Sequence, residues 1–170
     1  MARLKAREFL FQAEDRAITL LGEVTPPERR VMWTTLQYHY GEPWIHYELQ
    51  PHVGRQMVEI GLHFEGAAEQ NERAASLVAH HAGTLLASLG PNWELEEWTN
   101  SWRRLHRTLR FKFLNPDLAE EAAEAFAVLV TETSPILSTS DLLSEPSATV
   151  RSSAPFRRRQ RGGRQPGPRR

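Results

Sequence analysis

The chain has 170 residues, with 21 basic and 21 acidic side chains, 40% hydrophobic residues and no cysteine. This composition is typical of a soluble globular domain. The lack of cysteine excludes disulfide bonds, zinc–thiolate clusters, iron–sulfur centres and cysteine nucleophiles. The apolar runs are far shorter than the roughly 20 residues of a membrane-spanning helix, and charged residues interrupt the first dozen positions, where a secretory signal would be apolar. We therefore expect a cytoplasmic protein without a membrane segment.

Charge divides the chain into two parts. Residues 1–150 contain 13 basic and 21 acidic side chains, a net charge of −8, whereas residues 151–170 contain eight arginines and no acid. From residue 138 the composition changes to Ser, Thr, Pro, Gly and Arg, which cannot bury enough apolar surface to offset the entropy of ordering. We expect one folded domain over residues 1–137 and a disordered basic tail over residues 138–170.

The first third of the chain shows helical spacing. Apolar residues recur every three to four positions over residues 4–21, which predicts a helix that Gly22 ends. The Pro26-Pro27 pair, followed by Val31, Trp33 and Leu36, predicts a short second helix that ends at Gly41.

The period then changes to two. Ile45, Tyr47 and Leu49 alternate with polar residues, and the same alternation continues over residues 58–65. Residues 51–54 between the two runs are turn-forming. This pattern predicts an antiparallel hairpin with one apolar and one polar face.

Three further elements follow. Residues 71–89 return to helical spacing and end at Gly90. Residues 93–113 combine tryptophans at helical spacing with a turn-like segment, and we favour a second hairpin there over a helix.

A last helix is predicted from Asn115 as its cap and Pro116 as its first residue to about Pro135. The element order ααββαββα predicts an α+β domain of two layers, in which helices cover one face of a small antiparallel sheet built from two hairpins.

The polar face of the first predicted hairpin carries the candidate catalytic residues. With the turn at residues 51–54, two imidazoles and three carboxylates share this face, and His46 lies nearly opposite Glu59. Such groups bind zinc, manganese or iron and also form acid–base pairs. The candidates are His46, Glu48, Glu59, His63 and Glu65.

A simpler interpretation needs no chemistry at this face. Side chains two positions apart along a strand are about 7 Å apart, so only close neighbours can share one metal ion. A solvated sheet face also explains these residues, if a fourth strand adds Arg104 and His106 to it and arginine pairs with glutamate across strands. We therefore expect no metal or other cofactor, except a divalent metal if this face is catalytic. Elsewhere, His80 and His81 point about 100° apart on their helix, which does not suit one ion.

The tryptophans and the tail suggest binding rather than catalysis. Most of the five tryptophans suit core and rim positions, but Trp44 has the phase of His46 and Glu48 and is a candidate interaction surface. The tail contains one Arg-Gly-Gly element, and arginines hold phosphates by paired hydrogen bonds. The candidate nucleic-acid ligands are Arg157, Arg158, Arg159, Arg161 and Arg164.

The sequence is compatible with three functions. The sequence contains no complete catalytic motif, so we expect an interaction or regulatory module without catalysis that binds a protein partner or itself. The first alternative is a metal-assisted hydrolase or nuclease that uses the His and Glu residues of an open sheet face. The second is a nucleic-acid-binding protein in which the tail supplies affinity and tryptophans stack on bases.

Overall fold

The computed structural model describes residues 2–148, which form one antiparallel sheet covered by helices. In chain order the elements are α1 (Ala6–Leu21), β1 (Glu28–Met32), β2 (Thr35–His39), β3 (Ile45–His52), β4 (Met57–Phe64), α2 (Ala68–His80), α3 (Ala82–Leu89), β5 (Glu94–Glu97), β6 (Arg103–Arg110) and α4 (Pro116–Ser138). The strand order is β1-β2-β3-β4-β6-β5. The predicted α+β class with its antiparallel sheet is confirmed.

The core lies between the sheet and the helices α1 and α4. Tyr38 of β2 and Tyr47 of β3 both pack edge-on against Phe126 of α4, with ring centroids 6.2 and 6.3 Å apart. The Tyr47 hydroxyl lies 3.0 Å from the Thr133 hydroxyl, so its polar atom is satisfied inside the core. The alternation of β3 therefore places its apolar side chains against the helices and its polar side chains on the opposite face.

The predicted second helix is wrong, because residues 28–39 form the β1–β2 hairpin. Leu36 and Tyr38 alternate with polar residues and fill the core, a period of two that the helical spacing of Val31 and Leu36 concealed. Trp33 forms the hairpin turn with a φ of 54°. Packing against α1 and pairing with β3 outweigh the helix-start signal of the prolines.

The predicted helix boundaries hold in part. Asn115 caps α4 as expected, since its side-chain oxygen accepts a hydrogen bond from the Leu118 amide at 2.9 Å. Gly22 and Gly90, both at positive φ, end α1 and α3. Residues 93–113 form the favoured hairpin, β5 and β6.

Two helix predictions need correction. The helix expected over residues 71–89 begins earlier and divides at His81, whose ψ of 10° interrupts the helical backbone between α2 and α3. The final helix continues through Pro135 to Ser138, because a proline near the end of a helix removes only one backbone hydrogen bond.

The folded region extends beyond the predicted boundary at residue 137. Leu142 is buried in the core, and the backbone oxygen of Glu145 accepts a hydrogen bond from the Trp44 indole at 2.8 Å. The Glu145 carboxylate also pairs with Arg73 of α2. The expectation of disorder is therefore wrong for residues 138–148. They contain few apolar residues, but Leu142 among them packs into the core.

The rest of the tail, including its five candidate arginines, lies outside the described residues. Within residues 2–148, none of the helices has both the length and the apolar character needed to cross a membrane.

Candidate functional site

The polar face of the sheet brings the five predicted site residues together, but in a different register. β3 pairs with β4 so that His46 faces His63 and Gln50 faces Glu59. The turn lies at Val53–Arg55, with Gln56 in the left-handed conformation, instead of at residues 51–54. The predicted pairing of His46 with Glu59 is thus wrong, because the actual partner, His63, lies four residues further along β4. An even shift keeps every side chain on its predicted face, so the composition of the face is unchanged.

This face is buried rather than open to solvent. His63 is 1% exposed and Glu59 is 5% exposed, and His46 and Glu48 are buried as well. Trp98, from the β5–β6 connection, packs edge-on against His63 at 5.4 Å, and the Arg104 guanidinium stacks 4.9 Å from the Trp98 ring. The expected solvated face is therefore covered by a segment distant in sequence.

Hydrogen bonds define which nitrogen of His46 carries a proton. The Gln37 amide nitrogen donates to the Glu48 carboxylate at 2.8 Å, which fixes the orientation of that amide. The same nitrogen lies 3.1 Å from His46 Nε2, so Nε2 accepts. His46 Nδ1 then donates to the Pro43 backbone oxygen at 2.9 Å. The Nε2 lone pair therefore accepts the Gln37 amide hydrogen, and a cation at Nε2 would have to displace that hydrogen bond.

His63 lies between two carboxylates. Its Nε2 is 3.3 Å from Glu59 Oε1, too poorly aligned for a hydrogen bond but close enough for an ion pair, and its Nδ1 is 3.4 Å from Glu65 Oε1. Burial alone lowers the pKa of His63, but the two carboxylates outweigh burial and raise that pKa to about 9. The surroundings of this ring therefore favour a positive charge.

Glu59 is ionised by its neighbours. Burial raises the pKa of a carboxyl group, yet the contact with His63 and the ion pair with Arg104 outweigh burial and lower the pKa of Glu59 to about 2. His52 approaches the second carboxylate oxygen at 3.5 Å. The surroundings of Glu59 therefore favour its negatively charged form.

Glu48 is a second buried carboxylate on the same face. Burial raises its pKa, but the contacts with His46, His63 and Gln37 together lower the pKa below its ordinary value. Its Oε2 lies 3.6 Å from His46 Nε2. Glu48 is therefore an ionised group that can accept a proton beside His46.

Three of the five residues have the geometry of a metal site. His46, His63 and Glu65 each offer one ligand atom, and these atoms lie within 4.8 Å of one another. Glu65 Oε1 is 4.0 Å from His46 Nε2 and 3.4 Å from His63 Nδ1. Tetrahedral zinc, with bonds of about 2.0–2.1 Å, places neighbouring ligand atoms about 3.4 Å apart. The other ring nitrogen of each histidine faces an oxygen, from Pro43 or Glu59, as is usual for ligands of a metal.

A second group of ligand-type residues lies at the edge of the sheet and is less suited to a cation. It consists of Glu94, Glu96 and His106. Arg104 already pairs with Glu96, and His106 Nε2 lies 3.1 Å from the same carboxylate. Burial and the Arg104 charge lower the pKa of His106. The positive charge of Arg104 would oppose a metal ion at this position.

The sequence interpretation missed residues that shape the site. Gln37 was assigned to a helix, although the alternation of residues 35–39 places it on the polar face of β2. Gly61 lies opposite Glu48, and a side-chain Cβ there would come within 2.8 Å of His63 Nε2. Only a glycine leaves space for the His63 ring, a requirement that no local pattern shows.

A cleft of about 260 Å³ reaches this face from solvent. Its lining includes His46, Glu65, Gln37 and Arg30. Trp44 also borders this cleft, but it is only 3% exposed and its indole nitrogen bonds to the segment after α4. The prediction of Trp44 as an exposed interaction surface is therefore wrong, because residues 138–148 cover it.

No protein-family model matches the sequence, and no curated protein matches it.

Proposed function

We propose that this protein is a metal-assisted hydrolase, in which His46, His63 and Glu65 hold one divalent ion. The observation that carries the proposal is the convergence of these three residues, with His46 oriented by the hydrogen bond from its Nδ1 to the Pro43 oxygen and with the Glu59 carboxylate beside His63 Nε2. Two imidazoles and one carboxylate suit zinc, manganese or iron. Because the Glu59 and Glu65 carboxylates raise the pKa of His63 to about 9, a divalent ion at this position would have to displace a proton from the His63 ring.

Three protein ligands leave a coordination position open, which is typical of catalytic rather than structural zinc sites. A divalent ion at this position would lower the pKa of a bound water toward neutrality. Glu48 is ionised and lies beside His46, so it is placed to accept the proton of that water. His46 and Glu65 line the cleft, which gives a substrate its path to the site.

Zinc binding by the full chain tests the site. We expect calorimetric titration of chelator-treated protein to show one zinc ion bound, and Glu65→Gln and His46→Gln to weaken binding at least about tenfold, the loss that removing one ligand interaction of 1.4 kcal/mol produces. His106→Gln is the matched control, because it disrupts the other ligand group and should leave binding unchanged. Absence of zinc binding, or its loss in His106→Gln alone, would overturn the proposal.

Glu48→Gln separates binding from catalysis. This variant should still bind zinc, while hydrolysis of a chromogenic ester or phosphodiester should fall by about 10² or more, the usual contribution of a general base. If Glu48→Gln retains the wild-type rate, Glu48 is not the base.

The interaction module that we expect from the sequence remains a separate proposal. Trp33, at the tip of the β1–β2 hairpin, is 89% exposed. An exposed indole of this kind is typical of a protein interface. A cytoplasmic location likewise remains a prediction.

A further inference from the structure

A second cleft lies at the other end of the β3–β4 hairpin from the candidate metal site. It has a volume of about 400 Å³, within the roughly 300–1,000 Å³ range of small-ligand pockets. It lies beside the β3–β4 turn, and His46 is six residues along β3 from His52, or roughly 20 Å in an extended strand. The side chains that matter here are Arg3, Lys5, Val53, Phe111, Lys112 and Phe113.

Backbone hydrogen bonds join the three segments that form this cleft. The Leu4 amide donates to the Leu114 oxygen at 2.9 Å, and the Phe111 amide donates to the Gln56 oxygen at 3.1 Å. The amino-terminal segment, the hairpin turn and the segment after β6 therefore have defined relative positions. A ligand that binds there would not need to order them first.

Basic side chains line this cleft, whereas the described region as a whole has more acidic than basic side chains. Among residues 2–148, six of the 13 basic side chains pair with carboxylates. Of the seven that make no ion pair in this region, three line this cleft, namely Arg3, Lys5 and Lys112. Arg55 and Arg110 adjoin lining residues along the chain, and the Arg110 guanidinium lies 3.5 Å from the Arg55 backbone oxygen. Concentration of unpaired cations in one recess produces a local positive potential on a body with an excess of acidic residues.

The floor of the cleft is apolar and aromatic. Phe111 and Phe113 are partly buried, and the Arg3 guanidinium stacks 4.9 Å from the Phe113 ring. A lone phosphate would use the cations but not the aromatic floor. A membrane surface requires several apolar groups that protrude, whereas Val53 is the one exposed large apolar side chain of this lining and the phenylalanines are partly buried. A nucleotide chain uses both features, with its phosphates on the cationic rim and a base against the rings.

We infer that this cleft binds single-stranded nucleic acid through Arg3, Lys5 and Lys112, with a base stacked on the Arg3 guanidinium that lies over Phe113. This site lies within the folded body and is separate from the arginine-rich tail. It does not depend on the metal site, because the two clefts share no residues.

Amide chemical shifts of the full chain during titration with a six-nucleotide oligothymidylate test the inference. NMR follows the amide signals of the cleft and of the tail separately, so binding by tail arginines cannot be mistaken for binding by the cleft. We expect saturable shifts at Lys5, Gln56 and Lys112, and an affinity that falls with salt by a slope of about 0.7 per phosphate contact. Shifts confined to the tail, or no binding, would overturn the inference.

Paired variants provide the control for net charge. Arg3→Gln/Lys112→Gln should weaken binding at the cleft at least about tenfold and reduce the salt slope by about 1.4. Arg16→Gln/Arg107→Gln removes two charges from exposed ion pairs elsewhere and should bind as the wild type does. Equal affinities of the two variants would overturn the inference. Shifts of the cleft amides with phosphatidylserine vesicles but not with oligothymidylate would overturn it in favour of a membrane ligand.

Discussion

Gly61 determines how closely two histidine side chains approach the middle of the sheet. An added Cβ would lie 2.8 Å from His63 Nε2 and 3.2 Å from His106 Cβ. The His63 ring has no free direction in which to move, because His46, Glu59, Glu65 and Trp98 surround it. The candidate metal site thus depends on the absence of a side chain at a position that is not a ligand.

We therefore expect Gly61→Ala to lower the free energy of unfolding by about 1–3 kcal/mol, the usual cost of overpacking, and to weaken zinc binding. Urea unfolding measures the first effect and calorimetry the second. Gly83→Ala is the control, since nothing lies within 4 Å of its added Cβ and alanine favours the helix α3. Equal stability of the two variants would show that the His63 ring relocates without cost.

At the scale of elements, the segment after α4 acts as a strap across the sheet edge. Its short 3-10 turn, Asp141–Leu143, places Leu142 in the core. The Leu143 backbone oxygen accepts a hydrogen bond from the Glu42 amide, and the Glu145 backbone oxygen accepts one from Trp44. Because Trp44 borders the cleft beside His46, this strap forms part of one wall of the candidate site.

The strap contributes to stability through Leu142. We expect Leu142→Ala to lower the free energy of unfolding by about 2 kcal/mol or more, as for other buried leucines. Ser144→Ala, at an exposed position of the same segment, should change it by no more than about 0.5 kcal/mol. Chemical denaturation compares the two, and a neutral Leu142→Ala would mean that the strap does not pack as described.

For the whole molecule, buried charge makes the stability of the metal-free protein dependent on pH. The folded pKa of His63 is about 9, above its ordinary value of 6.5, so its stabilising contribution is complete below about pH 6.5 and is lost as the pH rises through 9. The folded pKa of Glu59 is about 2, below its ordinary 4.5, so its contribution is present above pH 4.5 and is lost as the pH falls through 2.

Thermal unfolding in the presence of a chelator measures this dependence. We expect the wild type to lose stability between pH 6.5 and 9, and His63→Gln, which cannot titrate, to show a smaller loss over this range. His80→Gln, at an exposed helical position, should follow the wild type. A wild-type slope in His63→Gln would assign the alkaline loss to another group.

The sequence by itself determined the features that depend on neighbours along the chain. The α+β class, the alternating strands around His46 and His63, the Asn115 cap and the helix end at Gly22 all follow from periodicity or local backbone chemistry. The same alternation identified five polar residues of one face, and their membership survived an error in register because the error was an even number of residues.

Only the tertiary structure decided the rest. Residues 28–39 became strands because β3 and α1 offered partners, and the polar face became buried because Trp98 packs over it from 35 residues beyond His63. The cationic cleft joins three segments that are distant in sequence. Such arrangements are stabilised by packing and electrostatic contacts between residues that are far apart in the sequence, so the pattern of neighbouring residues does not predict them.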